Sequence, residues 1–577
     1  MLNQYPRPQF ERTDWMNLNG EWNFLFDDNK QGEKDKWYLN FPKGTIINVP
    51  FNYETPLSGI NDQTEHTVVW YNKKVEVKVN GDHRTLLNFE GVDYEARVWV
   101  NGSFAGSHKG GYGAFSFDIT DYLCDGENDI TVRVEDSMSC EQPRGKQRWK
   151  DENFGCWYVQ TTGIWKTVWI EQVPNYYMEK VKMTPDIDTG ELHISARFLG
   201  QKKAAKTELQ CEVFFEGNLI SKTIVDAKEH VDTTIKIATD KEPWTVALWS
   251  PGSPRLYDIQ FTLLEDGIKK DVVKSYFGMR KISINGNQIL LNNLPIYQKL
   301  ILDQGYWEES HLTPPSEEAI IKDIDLILEA GYNGLRKHEK VEDSRFLYWC
   351  DKKGLLVWSE MASTYSFTDE AMAMFTNEWM EVVEQNYNHP CIITWTPFNE
   401  SWGIEKVFTN KKQQKFTEGI YHLTKAFDPM RPVIVNDGWE HTVSDIVTLH
   451  DYVERGEEFF ERYKDKDKIL HNEIPFNVSR YAFAEGYEYK GQPVIISEYG
   501  GIALTNKSGW GYGEQVTSED SFMERFDNIT SAIKKLDYVC GYCYTQLTDV
   551  QQEINGLYNM KREPKVTIEK VKRINDK

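Results

Sequence analysis

The feature of this sequence that most limits its fold is a change of apolar periodicity near residue 283. Before that point, apolar and polar residues alternate in runs such as VEVKV and ITVRVE, with Asn-Gly or Asp-Gly pairs between several runs. A period of two, broken by such pairs, predicts antiparallel strands joined by tight turns. After that point, apolar runs alternate with helical or loop segments, which predicts parallel strands joined by helices.

This change divides the chain into three predicted domains. Residues 1–173 predict an antiparallel β-sandwich, and residues 174–282 form a second all-β stretch whose length, roughly 100 residues, fits an immunoglobulin-like sandwich without a disulfide. Residues 283–577 predict a (β/α)8 barrel. Its eight strands are predicted in the runs PIYQKLILD, YNGLR, LLVWSE, CIITWTPFNE, PVIVND, DIVTLH, PVIISE and VCGYCYTQL.

Charge and composition exclude several classes of function. A formal net charge of −23 repels nucleic acid and anionic membranes, so neither is a predicted partner. The sequence holds no run of about 18 apolar residues and no basic segment followed by an apolar one at its start, which predicts a soluble, cytoplasmic protein unless a leader has been removed. The eight cysteines are too scattered for a disulfide framework, and Cys540 and Cys543 in CGYC are interpreted as buried thiols.

Two glutamates end apolar runs of the predicted barrel. WTPFNESWG places Asn399 and Glu400 after the fourth strand, and PVIISEYGG places Glu498 after the seventh. The carboxyl ends of barrel strands meet at one mouth, where active sites lie. Two carboxylates facing each other there are what glycosidic cleavage requires, one as acid and base, the other as nucleophile or base. The alternatives are two solvated loop carboxylates, or an inactive barrel that only binds carbohydrate.

Longer stretches resemble family 2 of the glycoside hydrolases, the β-galactosidase, β-glucuronidase and β-mannosidase group. NHPCIITWTPFNE (388–400) resembles its acid/base signature, and NGLRKHEKVEDSRFLYWCDKKGLLVW (333–358) resembles its other signature. LNGEWNF, WVNGSFAG and TTGIWKTVWIE resemble its amino-terminal domain. The resemblance implies a jelly-roll sandwich, an immunoglobulin-like sandwich and a catalytic TIM barrel, acting with net retention and without a cofactor.

The resemblance also implies roles for individual residues. Glu400 is expected to be the acid/base, kept protonated by repulsion from Glu498, the nucleophile. Asn399 is expected to bind the sugar 2-hydroxyl. Arg336 is expected to orient the nucleophile, with a structural ion pair as the alternative, and Tyr452 to donate its hydroxyl to Glu498.

Further residues are candidates for contact with the sugar. Each has a packing role as its alternative, in the core or in a loop. They are His338, His450, Asp303, Trp402, Trp510 and Tyr512.

Two departures from the family pattern bear on the sugar. The family usually has a histidine three residues past the arginine, followed by Tyr-Pro, whereas Glu339 occupies that place here and His338 comes one position early. The Asn-x-Lys with which family glucuronidases hold the sugar carboxylate is absent, because Asn555 is followed by Gly556 and Leu557.

The sequence therefore predicts a retaining exo-β-glycosidase acting on a carbohydrate substrate, with a β-galactoside-like sugar first. An α-L-arabinopyranoside would fit the same pocket, and a β-glucuronide ranks lower. No metal is predicted, since only Glu360 and Glu405 stand near Glu400 as additional carboxylates. The sequence leaves a homo-oligomer open.

Overall fold

The computed structural model describes residues 2–202, 204–238, 246–504 and 509–577, in which two antiparallel sandwiches precede a barrel. The strands of the first sandwich are β1 (Trp15–Asn17), β2 (Gly20–Phe26), β3 (Thr45–Val49), β4 (Val68–Val77), β5 (His83–Phe89), β6 (Val92–Asp93), β7 (Glu95–Val100), β8 (Ser103–Lys109), β9 (Phe115–Asp118), β10 (Gly126–Glu135), β11 (Gly163–Ile164) and β12 (Val168–Pro174). Short 3-10 helices span Pro56–Ser58 and Thr120–Tyr122.

The first sandwich packs a four-stranded sheet, β1-β12-β5-β9, against a six-stranded sheet, β3-β2-β4-β10-β7-β8. The alternation seen in the sequence places every second residue inside, and Ile130, Val132 and Val134 of β10 are all fully buried. The connection from β10 to β11, residues 136–162, is much longer than a turn. We call this connection the sandwich loop.

The second sandwich is smaller. Its strands are β13 (Tyr176–Asp186), β14 (Glu191–Gly200), β15 (Thr207–Phe215), β16 (Asn218–Asp226), β17 (His230–Lys236), β18 (Trp249–Ser250), β19 (Ser253–Pro254), β20 (Tyr257–Glu265) and β21 (Ile268–Phe277). The sheets β13-β14-β17 and β16-β15-β20-β21 enclose its core. All eight cysteines lie in the described part of the chain and carry free thiols, as predicted.

The barrel follows a three-stranded hairpin sheet, β22 (Ile282–Asn285), β23 (Gln288–Leu291) and β24 (Leu294–Pro295). Its strands are β25 (Gln298–Asp303), β26 (Gly334–Lys337), β27 (Leu356–Glu360), β28 (Ile392–Thr396), β29 (Phe398–Asn399), β30 (Asn436–Asp437), β31 (Val447–His450), β32 (Val494–Gly500) and β33 (Val539–Thr545). Its helices are α1 (Glu317–Glu329), α2 (Ser344–Lys353), α3 (Asp369–Asn386), α4 (Lys411–Phe427), α5 (Gly456–Tyr463), α6 (Lys466–Leu470), α7 (Glu519–Lys534) and α8 (Ile568–Asp576).

Seven parallel strands pair in the order β28-β27-β26-β25-β33-β32-β31, and β29 pairs with β30. The fifth predicted strand, PVIVND, keeps only two residues as β30. The reason is that side chains satisfy its backbone: Val433 N donates to Asp445 Oδ2 at 2.9 Å, and Val435 N donates to Ser444 Oγ at 2.9 Å. The ring of eight segments is thus present, with an irregular fifth member.

The first barrel helix illustrates how the sequence specifies these elements. Ser316 caps α1 by accepting a hydrogen bond from Ala319 N, and Ile320, Ile324 and Ile327 form its buried face. Gly331 follows the helix with φ +83°, a conformation that favours glycine. None of the described helices combines the length and the apolarity that a membrane span requires.

Candidate active site

Glu400 directly follows β29 in a strained conformation. Its φ is +50° and that of Ser401 is +61°, left-handed values that are uncommon outside glycine. The neighbouring segment holds this turn, because Glu400 N donates to Asp437 O at 2.9 Å and Ser401 N donates to Asn436 Oδ1 at 3.0 Å. Such strain is typical of functional sites, and here it turns the carboxylate into the barrel mouth.

Glu498 lies within β32, and both of its oxygens are bound. Arg336 Nη1 donates to Oε1 at 2.7 Å, and the Tyr452 hydroxyl donates to Oε2. These are the contacts that the sequence predicted for Arg336 and Tyr452. One oxygen of Glu498 and one of Glu400 lie within 4.8 Å of each other, with the His450 ring between them.

His450 is fully buried and bridges three carboxylates. Its Nδ1 lies 2.9 Å from Glu400 Oε1 and 3.5 Å from Glu498 Oε2, and its Nε2 lies 3.2 Å from Asp437 Oδ2. Because a carboxylate faces each ring nitrogen, both nitrogens donate and the ring is a cation. Although burial lowers it, the charges of Glu498 and Asp437 raise the pKa of His450 to about 10.

This cation corrects the expected charge state of Glu400. Burial raises the pKa of Glu400, but the hydrogen bond and charge of His450 bring it below its ordinary value, so repulsion from Glu498 does not keep Glu400 protonated. The His450 ring lies between Glu400 and Asp437, and its predicted contact with the sugar stays a prediction.

Arg336 connects most of the polar groups beneath the mouth. Its guanidinium is fully buried, and its Nε lies 2.6 Å from Glu360 Oε2 and 2.9 Å from Asp437 Oδ2. Its Nη2 donates to Asn399 Oδ1 at 2.7 Å. A planar fork with five donors is suited to hold several acceptors at fixed angles. Arg336 therefore orients Glu498 and takes part in ion pairs at once.

His338 and Glu360 contact Arg336 beneath the mouth, and the pKa of each is shifted. Arg336 Nη2 and Glu360 Oε1 both lie 2.9 Å from His338 Nδ1, but only the contact with Arg336 is a hydrogen bond, and since a guanidinium only donates, Nδ1 accepts it. Burial, aided by Lys146 and Arg336, lowers the pKa of His338 well below its usual range, so the ring is neutral. Burial raises the pKa of Glu360 to about 7, against the opposing charge of Arg336.

Two donors beside Glu400 have no partner within the described chain. With its oxygen held by Arg336, Asn399 directs a buried Nδ2 that makes no hydrogen bond. Trp402 Nε1 is likewise buried and unpaired. Buried donors are almost always satisfied, and binding of a ligand by these two residues stays a prediction.

Asp303 does not reach the mouth. Its carboxylate binds Lys337, which also lies 2.9 Å from Glu342 and above the ring of Phe346 in α2. Alternate residues of a strand face opposite sides, so Arg336 points inward while Lys337 and its partner Asp303 face the helices. The prediction that Asp303 binds a sugar hydroxyl is wrong for this reason.

Trp510 and Tyr512 lie at the mouth but pack against their surroundings. The Tyr512 ring stacks on Tyr452 at 3.4 Å, and Trp510 Nε1 donates to Gly155 O at 2.9 Å. Gly155 belongs to the sandwich loop, so Trp510 holds that loop against the barrel. Its predicted contact with the sugar stays a prediction.

The sandwich loop is part of the site, although nothing in the sequence predicted it. Its Trp157 ring lies 5.3 Å from that of Trp402, and its Trp149 ring lies 4.3 Å from that of Tyr365. These half-buried rings form an aromatic wall next to Glu400. No local signal marks them, since they come from another domain.

Asp437 and Glu553 were missed as well. Asp437 ends PVIVND just as Glu400 ends CIITWTPFNE, so the position of a carboxylate after an apolar run was an available signal. Glu553 is buried and accepts hydrogen bonds from Tyr158 of the sandwich loop and, at 3.0 Å, from Asn555. Glu339 is also buried and accepts from Ser363 N at 2.8 Å.

Two clusters could offer ligands to a metal. In the first, Asp351 already accepts from Tyr276, His389 and Cys391 N, so these groups join the two signature segments and serve the fold. The second is Glu400, His450 and Glu498, where the protonated His450 occupies the centre. The absence of a metal requirement stays a prediction.

Comparison with known families covers nearly the whole chain. Residues 15–174 match the sugar binding domain of the glycosyl hydrolases family 2, residues 176–280 match a further family 2 domain, and residues 282–577 match the family 2 TIM barrel domain. The chain belongs to glycosyl hydrolases family 2. This finding confirms the resemblance and the predicted fold class of jelly-roll sandwich, immunoglobulin-like sandwich and TIM barrel.

Individual relatives of this family 2 chain carry different names. A putative beta-glucuronidase of Formosa agariphila is 27% identical over 76% of the chain and 52% of its own length, and a beta-galactosidase of Thermoanaerobacter pseudethanolicus is 28% identical over 67% and 52%. The chain thus spans about half the length of these relatives. The solved beta-glucuronidase of an uncultured Clostridium sp. shares the fold, with a TM-score of 0.78 and 21% identity over 100% of this chain and 99% of its own.

Proposed function

We propose that this family 2 chain is a retaining exo-β-glycosidase that releases terminal sugars from oligosaccharides, polysaccharides or glycoconjugates. The observation that carries the proposal is the separation of at most 4.8 Å between an oxygen of Glu400 and one of Glu498. Retaining enzymes hold their two carboxyl groups about 5–5.5 Å apart, whereas inverting enzymes need about 6.5–9.5 Å to admit a water. The short separation favours double displacement.

In this mechanism Glu498 attacks the anomeric carbon and forms a glycosyl ester while the glycosidic oxygen leaves. Arg336 and Tyr452 bind the two Glu498 oxygens and so limit the orientations of the nucleophile. His450 passes its proton to Glu400 through their 2.9 Å contact, and Glu400 delivers it to the leaving oxygen, which leaves the pair without a proton. A water then attacks the ester and gives its proton to Glu400, which returns it to His450.

The unpaired Nδ2 of Asn399 supports binding of the sugar 2-hydroxyl. Arg336 holds the oxygen of the amide, which leaves Nδ2 without a partner one residue before Glu400. Hydrogen bonds to the 2-hydroxyl strengthen as the oxocarbenium-like transition state forms.

The path of the sandwich loop supports exo action. On one side of the mouth, Tyr365 donates to Gly145 O at 2.7 Å. On the other side, Trp510 donates to Gly155 O, and Asn153 donates to Gln552 Oε1 at 3.1 Å. A loop that crosses the mouth between these points favours a chain end over the middle of a polysaccharide as the substrate.

A neutral, β-galactoside-like sugar is the first candidate substrate, because Glu400 and Glu498 lie together at the mouth and would repel a sugar carboxylate. Asn555 is fully buried, donates to Glu553 and accepts from Gln546, so it is not free to bind such a carboxylate. A β-glucuronide is the second candidate, since several relatives are named beta-glucuronidase. An α-L-arabinopyranoside would fit the same pocket as a galactoside.

The test separates the two glutamates by azide rescue. Glu498→Ala is expected to lose activity on every substrate and to give an α-glycosyl azide. Glu400→Ala is expected to lose about 10²–10⁴-fold on substrates with poor leaving groups, little on activated aryl glycosides, and to give a β-glycosyl azide.

Glu405→Ala is the matched control, because Glu405 is an exposed carboxylate five residues after Glu400, and it should leave activity unchanged. Azides of the reverse configurations would exchange the two roles. Full activity of both variants on every glycoside would refute the proposed function.

A further inference from the structure

Lys146 of the sandwich loop is a cation that the first sandwich places at the barrel mouth. Its backbone is fixed on both sides: Gly145 N donates to Ser363 O at 3.1 Å, and Tyr158 N donates to Lys146 O at 2.8 Å. The side chain is only 6% exposed, and its Nζ lies 5.9 Å from the centre of the Trp157 ring. The position of the ammonium is therefore set by contacts of two domains.

The Lys146 ammonium has donors to spare. Its one hydrogen bond within the described chain is to Cys156 Sγ at 3.3 Å, and sulfur is a weak acceptor. No carboxylate oxygen of the described residues lies within 4.0 Å of Nζ. By contrast, the other cations of the mouth, Arg336 and His450, are each paired directly with carboxylates.

Carboxylates nevertheless surround Lys146 beyond contact distance. Although burial lowers it, the neighbouring Cys156, Glu339, Glu553 and Glu400 raise the pKa of Lys146, so the amine stays protonated. Burial raises the pKa of Glu339 to about 7 and also raises that of Glu553, whereas the pKa of Glu400 is lowered, so a ligand carboxylate between these groups would be repelled mainly by Glu400. A hydroxyl would accept from the ammonium and donate to a carboxylate at once, as sugar hydroxyls do.

We propose that Lys146 is a substrate-binding residue, whose ammonium donates a hydrogen bond to a hydroxyl of the glycone that in turn donates to Glu553 or Glu339. This inference rests on the proposed glycosidase function and deepens it. The first sandwich is then part of the active site and contributes to the choice of sugar, and the ligand is a neutral sugar rather than a uronate.

The experiment pairs a substitution with a set of substrates. Wild type and Lys146→Met are assayed on an aryl β-galactoside, on its 3-deoxy, 4-deoxy and 6-deoxy analogues, and on the matching aryl β-galacturonide and β-glucuronide. Lys146→Met is expected to lower kcat/KM on the parent galactoside about 10- to 100-fold, the range for a hydrogen bond to a charged group. On the one deoxy analogue that lacks the partner hydroxyl, the loss should shrink to less than about 3-fold.

Two variants separate binding from structure. Lys146→Arg keeps the charge and should recover part of kcat/KM, while a merely structural role predicts equal losses on all analogues. Lys150→Ala is the control, because Lys150 is an exposed lysine of the same loop whose ammonium lies over Phe154, and it should change no substrate by more than about 2-fold.

The outcomes distinguish the two proposals. If wild type hydrolyses none of the glycosides, the proposed function fails. If wild type is active but Lys146→Met loses the same factor on every analogue, or nothing, only the inference is overturned. A loss confined to the two uronides would also overturn it, since Lys146 would then bind a carboxylate.

Discussion

At the scale of single residues, Arg336 explains why the mouth needs a buried cation. One guanidinium contacts Glu360, Asp437, Glu498 and Asn399, all within 2.9 Å. Leaving any of these carboxylates buried without a partner would cost several kcal/mol, so Arg336 links the stability of the barrel to the orientation of Glu498. A lysine could not satisfy this set, because it lacks the planar fork.

His450 is expected to control the alkaline limit of activity. Its raised pKa of about 10 means that the Glu400–His450 pair keeps a proton well above neutral pH. His450→Gln removes the imidazole that holds this proton. The basic limb of kcat/KM on an alkyl glycoside should therefore move to lower pH by more than about one unit. The measurement is the pH profile of kcat/KM for both proteins.

An activated aryl glycoside is the control for this variant, because its leaving group departs without a proton and its basic limb should stay in place. The stability of the folded protein depends on pH in the same direction. Because folding raises the pKa of His450 from 6.5 to about 10, its contribution to stability is complete below about pH 6.5 and is lost as pH rises through about 10. An unchanged basic limb in His450→Gln would contradict a proton shared with Glu400.

At the scale of elements, the tight pairing of barrel strands depends on Gly334 at the start of β26. A Cβ there would lie 2.6 Å from Leu300 Cδ2 of β25 and 2.8 Å from the Leu356 backbone oxygen of β27. Gly334→Ala is therefore expected to lower the free energy of unfolding by about 1–3 kcal/mol, because the backbone on one side cannot yield. Urea denaturation followed by tryptophan fluorescence measures the change.

Gly419 in α4 is the matched control. It is exposed within the helix, and a Cβ there would meet no atom within 4 Å. Gly419→Ala should stabilise the protein by about 0.5–1 kcal/mol, since alanine loses less backbone entropy in a helix. Equal effects of the two substitutions would show that Gly334 does not limit the packing of β25, β26 and β27.

At the scale of the whole molecule, the sandwich loop joins the first sandwich to the barrel through Gly145. Its φ is +59°, and a Cβ there would lie 2.3 Å from the backbone oxygen of Glu339. Gly145→Ala should displace the loop and with it Lys146 and Trp157, so kcat/KM should fall by at least about 10-fold. Steady-state kinetics and the melting temperature are measured together.

Gly217 supplies the comparison. It has φ +79° in a hairpin turn of the second sandwich, where a Cβ would meet nothing within 4 Å. Gly217→Ala has a similar backbone strain of about 1–2 kcal/mol without any clash at the mouth. It should lower the melting temperature and leave kcat/KM unchanged. If both variants lost the same activity, docking of the loop would not matter for the site.

The sequence by itself determined the types of element and the positions of the two glutamates. Periods of two and 3.6 separate strands from helices locally, and counting strands placed Glu400 and Glu498 at one end of the barrel. Arg336 and Tyr452 were predicted beside Glu498 from the family resemblance, and both contacts are present. These properties depend on local order along the chain or on motifs that keep their spacing.

Only the tertiary structure decided which side chains meet. The register of β25 and β26 turned Asp303 to the outer face. The approach of Asp437 to Glu400 and Glu498 enclosed His450 between carboxylates and made it a cation. Lys146 reaches the mouth from another domain. It lies more than 180 residues before Glu339, the first barrel carboxylate near its ammonium. Contacts between distant segments, and the charge states that burial imposes, depend on all the surrounding packing, which no local pattern encodes.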